Sequence, residues 1–153
     1  MDVLTELFDM AIEQSESQQI PALEYSTHSS TMADLLTIAA EQHASNTALK
    51  HKVGDEWHEV TYAELLPIVR GISKGLMANG ITLGDKVAIL ANTRPEWTYA
   101  DFGALCAGAT VAPVYQSNSP EEVEYVLNHS EAMLVFVEDQ EQLDKIKRVR
   151  ENL

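Results

Sequence analysis

The stretch KVAILANTRPEW, from Lys86 to Trp97, decides the fold class of this chain. Its first half is a short apolar run of the kind that forms a buried strand. Pro95 stands where a helix would begin, because proline suits the first helical turn and Glu96 then favours the helix dipole. Asn92 or Thr93 could satisfy the free N–H groups at that helix start. Arg94 is then the one residue of the loop without a structural role, and the whole stretch predicts half of a βαβ unit.

The same strand–loop–helix pattern recurs from here to Leu153. It predicts strands at 86–91, 110–115 and 133–137, and helices at 95–107, 120–128 and 139–153. The strands are nearly all apolar, as expected when helices cover both faces of a parallel sheet. We therefore expect an α/β fold, a parallel sheet built from βαβ units, in which Trp97, Phe102 and Leu105 face the sheet.

The sequence before Lys86 predicts a helix, a β-hairpin and a second helix. Thr31–Asp34 forms a capping pair at the first helix. Gly54–Asp55 is a two-residue turn with glycine first, which suits a type II′ hairpin. Thr61–Glu64 is a capping box that opens the second helix, and Asn79–Gly80 ends it.

Residues 1–30 are predicted to be an N-terminal arm ahead of a domain at 31–153. Met1–Ile12 could form a short amphipathic helix, and the polar segment after it is interrupted by Pro21. Lysine and arginine are absent before Lys50, while that stretch holds eight aspartates and glutamates. A solvated acidic face is the simpler interpretation, and a docking surface for a basic partner is the alternative.

Composition narrows the class of protein. A net charge of −14 argues against nucleic acid as a partner, since phosphate contacts need clustered lysine and arginine. The single cysteine, Cys106, excludes an internal disulfide and fits a reducing, cytoplasmic setting. We interpret it as an inert core residue. The sequence shows neither a signal peptide nor an apolar run near the roughly 18 residues that span a bilayer.

Several catalytic and metal-binding signatures are missing from the sequence. The nearest match to a phosphate-binding Walker loop, 103–110, has Ala109 where lysine is required, and Gly108 is better interpreted as a helix stop. His51 and His58 could face each other across the hairpin, but a zinc site needs three or four ligands. The sequence therefore predicts no catalytic residue and no metal site.

A binding site, if present, should lie beyond the carboxyl ends of the parallel strands. The predicted loops there are 92–94, 116–119 and 138–140. Arg94, Gln116 and Asn118 are the candidates for lining such a site. Arg94 is expected to be the only basic residue near this edge, and the glutamates of the adjoining helix starts would repel a phosphate.

These residues also resemble a known family, the adenylate-forming superfamily, and are most similar to long-chain fatty-acyl-CoA synthetases among the AMP-binding enzymes. The likeness covers about residues 31–153 and keeps the order and spacing of the family's motifs. The segments that carry it are 60–65 (VTYAEL), 84–89 (GDKVAI), 92–97 (NTRPEW), 107–115 (AGATVAPVY), 119–122 (SPEE), 128–131 (NHSE) and 135–139 (VFVED).

The resemblance implies an N-terminal fragment of an enzyme that activates a fatty acid with ATP and Mg²⁺ and passes the acyl group to coenzyme A. The family's phosphate loop, Tyr-Gly-x-Thr-Glu segment, ribose-binding aspartate and C-terminal lysine have no match here, so no catalytic residue carries over. The fragment itself is then expected to be inactive and without a cofactor. Gln116 stands where the family pattern suggests proline, which makes the subfamily less certain.

The resemblance also bears on partners. The remainder of the parent enzyme is the expected partner, and fatty acid and coenzyme A would bind only through that parent. A homodimer and a peripheral contact with a membrane are both compatible with the sequence. A stand-alone, non-catalytic interaction module is the alternative. A flavodoxin-like nucleotide binder is disfavoured because the sequence has no phosphate loop.

Overall fold

The computed structural model describes residues 31–153. The predicted helix at 1–12 and the irregular arm that follows it lie outside the described residues. The described part begins with two helices that flank a hairpin and continues with strands and helices in alternation. The first group comprises α1 (Met32–Gln42), β1 (Thr47–Val53), β2 (Glu56–Thr61) and α2 (Tyr62–Ala78). The second comprises β3 (Lys86–Leu90), α3 (Pro95–Cys106), β4 (Thr110–Val114), α4 (Pro120–Ser130), β5 (Ala132–Val137) and α5 (Gln140–Val149).

Local capping signals predicted these helix starts well. The Thr31 hydroxyl accepts from the Asp34 amide, and Thr61 and Ser119 each form a complete capping box. The last helix is shorter than the predicted 139–153. It ends at Val149 and closes with a 3₁₀ turn at Arg150–Asn152.

The hairpin and the parallel sheet are both confirmed. In the hairpin, Val53 pairs with Glu56, and Gly54 takes a positive φ of 61° in the turn between them. The sheet has the order β4-β3-β5 with both pairings parallel. β3 is therefore the central strand, and four of its five residues are buried.

Helices cover both faces of this sheet, as the apolar strands predicted. The face-one cluster joins α2, α3 and β3 through the buried residues Leu76, Ile81, Val87, Ala104 and Ala109. The face-two cluster joins β3, β4 and α4 through Ala88, Leu90, Val114, Val123 and Leu127. Successive residues of β3 alternate between the two clusters because side chains of a strand point alternately to opposite faces.

A third apolar cluster, the hairpin cluster, holds α1, α2 and the hairpin together around Leu36, Leu65 and Val69. Phe102 of α3 packs here, so the prediction that it faces the sheet is wrong. The small residue Ala104 takes the sheet side of α3 instead. The reason is that α3 packs against the sheet on one side, with Ala104, and against the hairpin cluster on the other, with Phe102.

Within residues 31–153, the structure contains no helix both long enough and apolar enough to cross a membrane.

Candidate functional site

Two loops meet at the carboxyl edge of the sheet because β3 and β5 are parallel neighbours. The loop after β3 carries Asn92 and Arg94, and Glu138 follows β5 directly. The Glu138 amide donates to the Leu90 carbonyl at 3.2 Å, so the pairing of the two strands continues one residue beyond β5. This edge is where ligands bind in open α/β sheets.

Glu138 ties the two loops together. Its Oε2 accepts from the Asn92 backbone N at 2.7 Å and from Asn92 Nδ2 at 2.9 Å, and its Oε1 accepts from Arg94 Nη1 at 3.2 Å. The bond from the Asn92 amide, followed by those from the Asn92 and Arg94 side chains, lowers the pKa of the Glu138 carboxyl. The lowered pKa keeps the Glu138 carboxyl ionised, and its side chain is only 15% exposed. Glu138 therefore acts as a charged clamp between the two loops.

Arg94 is held between two carboxylates. Its Nε and Nη2 donate to the two oxygens of Glu96 at 2.7 Å and 3.1 Å, while Nη1 reaches Glu138. The hydrogen bond to Arg94 is the main cause that lowers the pKa of Glu96, and the same pair raises the pKa of Arg94. The guanidinium charge is thus already compensated.

This arrangement corrects two expectations about the loop. The N-cap of α3 is Arg94, and no side chain caps that helix start. The Asn92 side chain binds Glu138 and does not cap the helix. The residue expected to lack a structural role is therefore a tie between two loops.

The hairpin lies over this edge and leaves a cleft of about 600 Å³. Its walls come from β1, from Trp57 of β2, from the loop after β3, from the start of α3 and from Glu138. Trp57 is 61% exposed, and Lys50 Nζ lies 5.8 Å from the centre of its ring. The cleft therefore combines an aromatic surface with ion-paired side chains.

The expectation that Arg94 is the only basic residue at this edge is wrong. Lys50 and Lys52 line the cleft as well. Lys50 pairs with Glu59 at 2.6 Å and Lys52 with Asp55 at 3.8 Å. The hairpin brings these lysines to the edge through tertiary packing, which their position in the sequence does not reveal.

Only one of the three sequence-predicted site residues lines the cleft. Arg94 does, whereas Gln116 and Asn118 sit on the loop after β4, outside the cleft lining. The Gln116 carbonyl accepts from Lys145 Nζ, and the Asn118 amide donates to the Tyr115 carbonyl at 3.1 Å. The sequence-based candidates also omitted Glu138, although a carboxylate placed directly after a buried strand was an available signal.

The hairpin histidines and the cleft cations are the groups that could contribute to a metal or phosphate site in the described residues. His51 and His58 do face each other, as predicted, with ring centroids 5.7 Å apart. Within 31–153, however, no group of three or more histidine, cysteine, aspartate or glutamate side chains could hold a metal ion. A triphosphate needs uncompensated positive charge or a cradle of backbone N–H groups. The three cleft cations, Lys50, Lys52 and Arg94, each have a carboxylate partner.

Cys106 is partly buried against the hairpin cluster, as its apolar neighbours predicted. Its Sγ lies 4.0 Å from the Ala33 carbonyl, and burial raises the pKa of the thiol.

The doubly covered parallel sheet, preceded by a hairpin that overlies its carboxyl edge, defines the class of protein: an α/β domain with a cleft at the carboxyl ends of its parallel strands. The sequence profile of the AMP-binding enzyme family matches residues 36–153. The chain belongs to that family.

Curated relatives and solved structures agree with this assignment. A long-chain-fatty-acid–CoA ligase of Xenopus laevis is 34% identical over 123 residues, which cover 80% of this chain and 17% of the relative. A long-chain-fatty-acid–CoA ligase of Mycobacterium bovis is 42% identical over 82 residues, covering 54% of this chain and 14% of the relative. The chain thus spans less than a fifth of the length of these relatives.

Among solved structures, an anthranilate CoA ligase in complex with anthranoyl-AMP aligns with a TM-score of 0.72 and 28% identity. The alignment covers 80% of this chain and 23% of that one. A putative long-chain-fatty-acid CoA ligase from Rhodopseudomonas palustris aligns with a TM-score of 0.72 and 25% identity, covering 84% of this chain and 31% of that one.

Proposed function

We propose that this chain is the N-terminal portion of an ATP-dependent ligase that joins long-chain fatty acids to coenzyme A. The observation that carries the proposal is the 34% identity to the Xenopus laevis ligase across 80% of the chain. The parent enzyme would form an acyl-adenylate and pyrophosphate and then transfer the acyl group to the thiol of coenzyme A. ATP, Mg²⁺ and coenzyme A enter through that parent.

In this proposal, residues 1–30 form an arm ahead of the AMP-binding part at 31–153, and the protein works in the cytoplasm. The described portion acts as a scaffold. Glu138 supports this role because it accepts two hydrogen bonds from Asn92 and one from Arg94, which connect the loops after β5 and β3. Such ties hold the carboxyl edge in one geometry, which an adenylating site requires for orientation.

Arg94, Gln116 and Asn118 would line a site that other parts of the parent complete. Arg94 is the best placed of the three, since it faces the cleft, but its charge is shared between Glu96 and Glu138. We assign it the role of a positioning residue and give no residue of this chain a catalytic role.

The isolated chain is proposed to be inactive in adenylation. Catalysis of that step must stabilise charge that develops on phosphate in a water-excluded site. The sequence lacks a Gly-rich phosphate loop, and the cleft cations are already paired.

The test is fatty-acid-dependent exchange between ATP and pyrophosphate, followed by acyl-CoA formation. It compares this chain alone with the product of the reading frame extended beyond Leu153. We expect exchange and acyl-CoA formation from the extended product only. Exchange driven by amino acids and not by fatty acids would refute the substrate class. A stop codon directly after Leu153 would favour the non-catalytic interaction module.

A further inference from the structure

Lys145 on α5 is more buried than the other ion-paired lysines of the described residues. Its side chain is 14% exposed, and its nearest carboxylate, Glu141 Oε1, is 3.9 Å away on a side chain that is 76% exposed. The Lys145 ammonium donates a hydrogen bond to the backbone carbonyl of Gln116, 29 residues earlier in the chain. Lysine is almost never withdrawn from water without a partner. The comparison lysines, whose side chains are 40–56% exposed, are Lys50, Lys52, Lys86 and Lys147.

This hydrogen bond reaches the middle of the loop after β4. The loop is a four-residue turn in which the Asn118 amide donates to the Tyr115 carbonyl at 3.1 Å. Its two ends are held by the end of β4 and by the N-cap of α4. Gln116 stands at the second position of the turn, so its carbonyl takes no part in the turn's own hydrogen bond. Within residues 31–153, Lys145 is the only side chain from another helix or strand that hydrogen-bonds to the turn.

The position of Lys145 is set by the contacts of α5. The helix begins with a capped turn, because the Asp139 side chain accepts a hydrogen bond from the Gln142 amide at 3.0 Å. Gln142 and Val149 are 3% and 6% exposed, and Ile146, next to Lys145, packs into the face-two cluster. Through its ammonium, Lys145 therefore sets where the turn lies relative to the sheet.

Stability alone does not account for a lysine at this position. Taking an ammonium out of water costs free energy, and replacing a buried charge by an apolar side chain of similar size is often neutral or stabilising. Methionine in place of Lys145 could fill much of the same space, but it could not hold the Gln116 carbonyl. The ammonium therefore serves the geometry of the loop.

The turn lies at the carboxyl edge of the sheet, because it follows a parallel strand. Ligands of open α/β sheets bind beyond this edge. The turn carries Gln116 and Asn118, two of the residues proposed to line the substrate site, together with Tyr115, which is 77% exposed. A displacement of the turn would move all three side chains at once.

We propose that Lys145 is a positioning residue of the ligase. It fixes the Tyr115–Asn118 turn, so that Gln116 and Asn118 are held in place at the substrate site that the parent completes. Lys145 acts through the backbone of Gln116 and does not itself touch a substrate. Its role in the ligase rests on the proposed function, whereas the contact between α5 and the turn does not.

The contact is tested first in this chain by NMR, with Lys145→Met, which removes the donor and keeps an apolar side chain of similar length. We expect the carbonyl carbon resonance of Gln116 to shift, because that carbonyl loses its hydrogen bond. The Asn118 amide should exchange with water roughly threefold faster or more, since the turn opens more often. The midpoint of urea unfolding should stay the same or rise. Lys147→Met is the matched control, because Lys147 pairs with Asp144 at an exposed position of the same helix, and it should change neither signal of the turn.

The role is tested in the product of the reading frame extended beyond Leu153. We expect Lys145→Met to raise the KM of ATP, fatty acid or coenzyme A by about fivefold or more, while kcat stays within about twofold, because displaced lining residues weaken binding. Lys145→Arg keeps a charged donor and should recover most of the loss. Lys147→Met should retain the KM values of the wild type. If Lys145→Arg does not restore the Gln116 resonance, the comparison of Lys145→Met with Lys147→Met decides the question.

An unchanged Gln116 resonance in Lys145→Met would overturn the proposal, and so would unchanged KM values in a ligase whose turn has shifted. A fall in kcat together with the unfolding midpoint, at unchanged KM, would assign Lys145 a purely structural role and would also overturn it. With Lys145 intact, the absence of fatty-acid-dependent exchange would refute the proposed function and not the contact, which the Gln116 resonance decides.

Discussion

At the scale of single residues, Glu138 is the group on which the carboxyl edge depends. One carboxylate serves three donors from the loop after β3, and hydrogen bonds to a charged group are stronger than neutral ones. Its loss would leave the Asn92 amide without its acceptor and Arg94 with only Glu96. Removing the carboxylate should therefore change both the free energy of unfolding and its dependence on pH.

We expect Glu138→Gln to lower the free energy of unfolding at neutral pH by on the order of 1 kcal/mol, because an amide replaces the charged acceptor and brings an N–H group toward Arg94. Urea unfolding followed by circular dichroism measures the change. Glu56→Gln, at an exposed position of the hairpin, is the matched control. Equal stability of the two variants would show that the carboxylate does not act as a clamp.

The pH dependence follows from the same carboxylates. The pKa values of Glu138 and Glu96 are lowered in the folded state from a usual value of 4.5. Their contribution to stability is therefore complete above about pH 4.5 and is lost as the pH falls through the lowered pKa values. The unfolding temperature of the wild type should fall as the pH drops below 4.5. That of Glu138→Gln should fall less steeply. Parallel curves for the two proteins would contradict this assignment.

Contacts between residues close in sequence could be predicted, whereas contacts between distant residues could not. The caps at Thr61 and Ser119 were predictable because their partners lie three residues away. The bond from Arg94 to Glu138 was not, since Glu138 lies 44 residues further along the chain. Lys50 and Lys52 at the cleft were missed for the same reason: their place depends on how the hairpin packs over the sheet edge.

At the scale of elements, α2 and α3 approach each other closely at one glycine. A Cβ on Gly103 would lie 2.8 Å from Ile72 Cβ, which is closer than real side chains allow. The strand–helix alternation was readable from the sequence, but this contact was not. In a sequence, a glycine required by close helix packing looks the same as a glycine that ends a helix or one at a position that would accept another residue. The packing of the folded protein distinguishes these cases.

We expect Gly103→Ala to destabilise the protein by about 1–3 kcal/mol, since the added methyl group must push α2 and α3 apart. Gly71→Ala on α2 is the matched control, because a Cβ added there would meet no neighbouring element within 4 Å. That change should stabilise the helix by roughly 0.5–1 kcal/mol through helix propensity. Chemical denaturation of both variants gives the comparison. Stabilisation by both would mean that the helices can separate without cost.

At the scale of the whole molecule, several large apolar side chains are exposed. Leu83 is 88% exposed, Tyr115 77% and Met133 69%. Contiguous exposed apolar patches usually mark contact sites. In the proposed parent enzyme these side chains would be covered by other parts of the protein, whereas the isolated chain leaves them exposed.

We therefore expect the isolated chain to form a dimer or larger species, or to bind a dye specific for exposed apolar surface. Multi-angle light scattering and dye fluorescence measure the two properties. Leu83→Ser should weaken dye binding, and Thr82→Ser, which keeps the hydroxyl beside Asp85, is the control. A monomer without dye binding would favour the stand-alone interaction module.

The charge of the molecule leads to a separate expectation. The chain has ten basic residues against twenty-four acidic ones, and the cleft cations are already paired. We expect isothermal titration calorimetry with ATP and Mg²⁺ to show no tight binding to the isolated chain. A micromolar dissociation constant, about −8 kcal/mol, would reveal a nucleotide site and support the flavodoxin-like alternative.

The strand order also affects how the chain folds while it is being synthesised on the ribosome. β3 is synthesised first of the three parallel strands, yet it ends up in the centre, with β4 and then β5 added on its two sides. Synthesis proceeds at about 5–20 residues per second. The second side of β3 therefore stays without its partner for several seconds while the segment up to β5 emerges. During that interval β3, the most buried strand of the described residues, depends on the nascent helices, or on chaperones, to keep it from pairing with another chain.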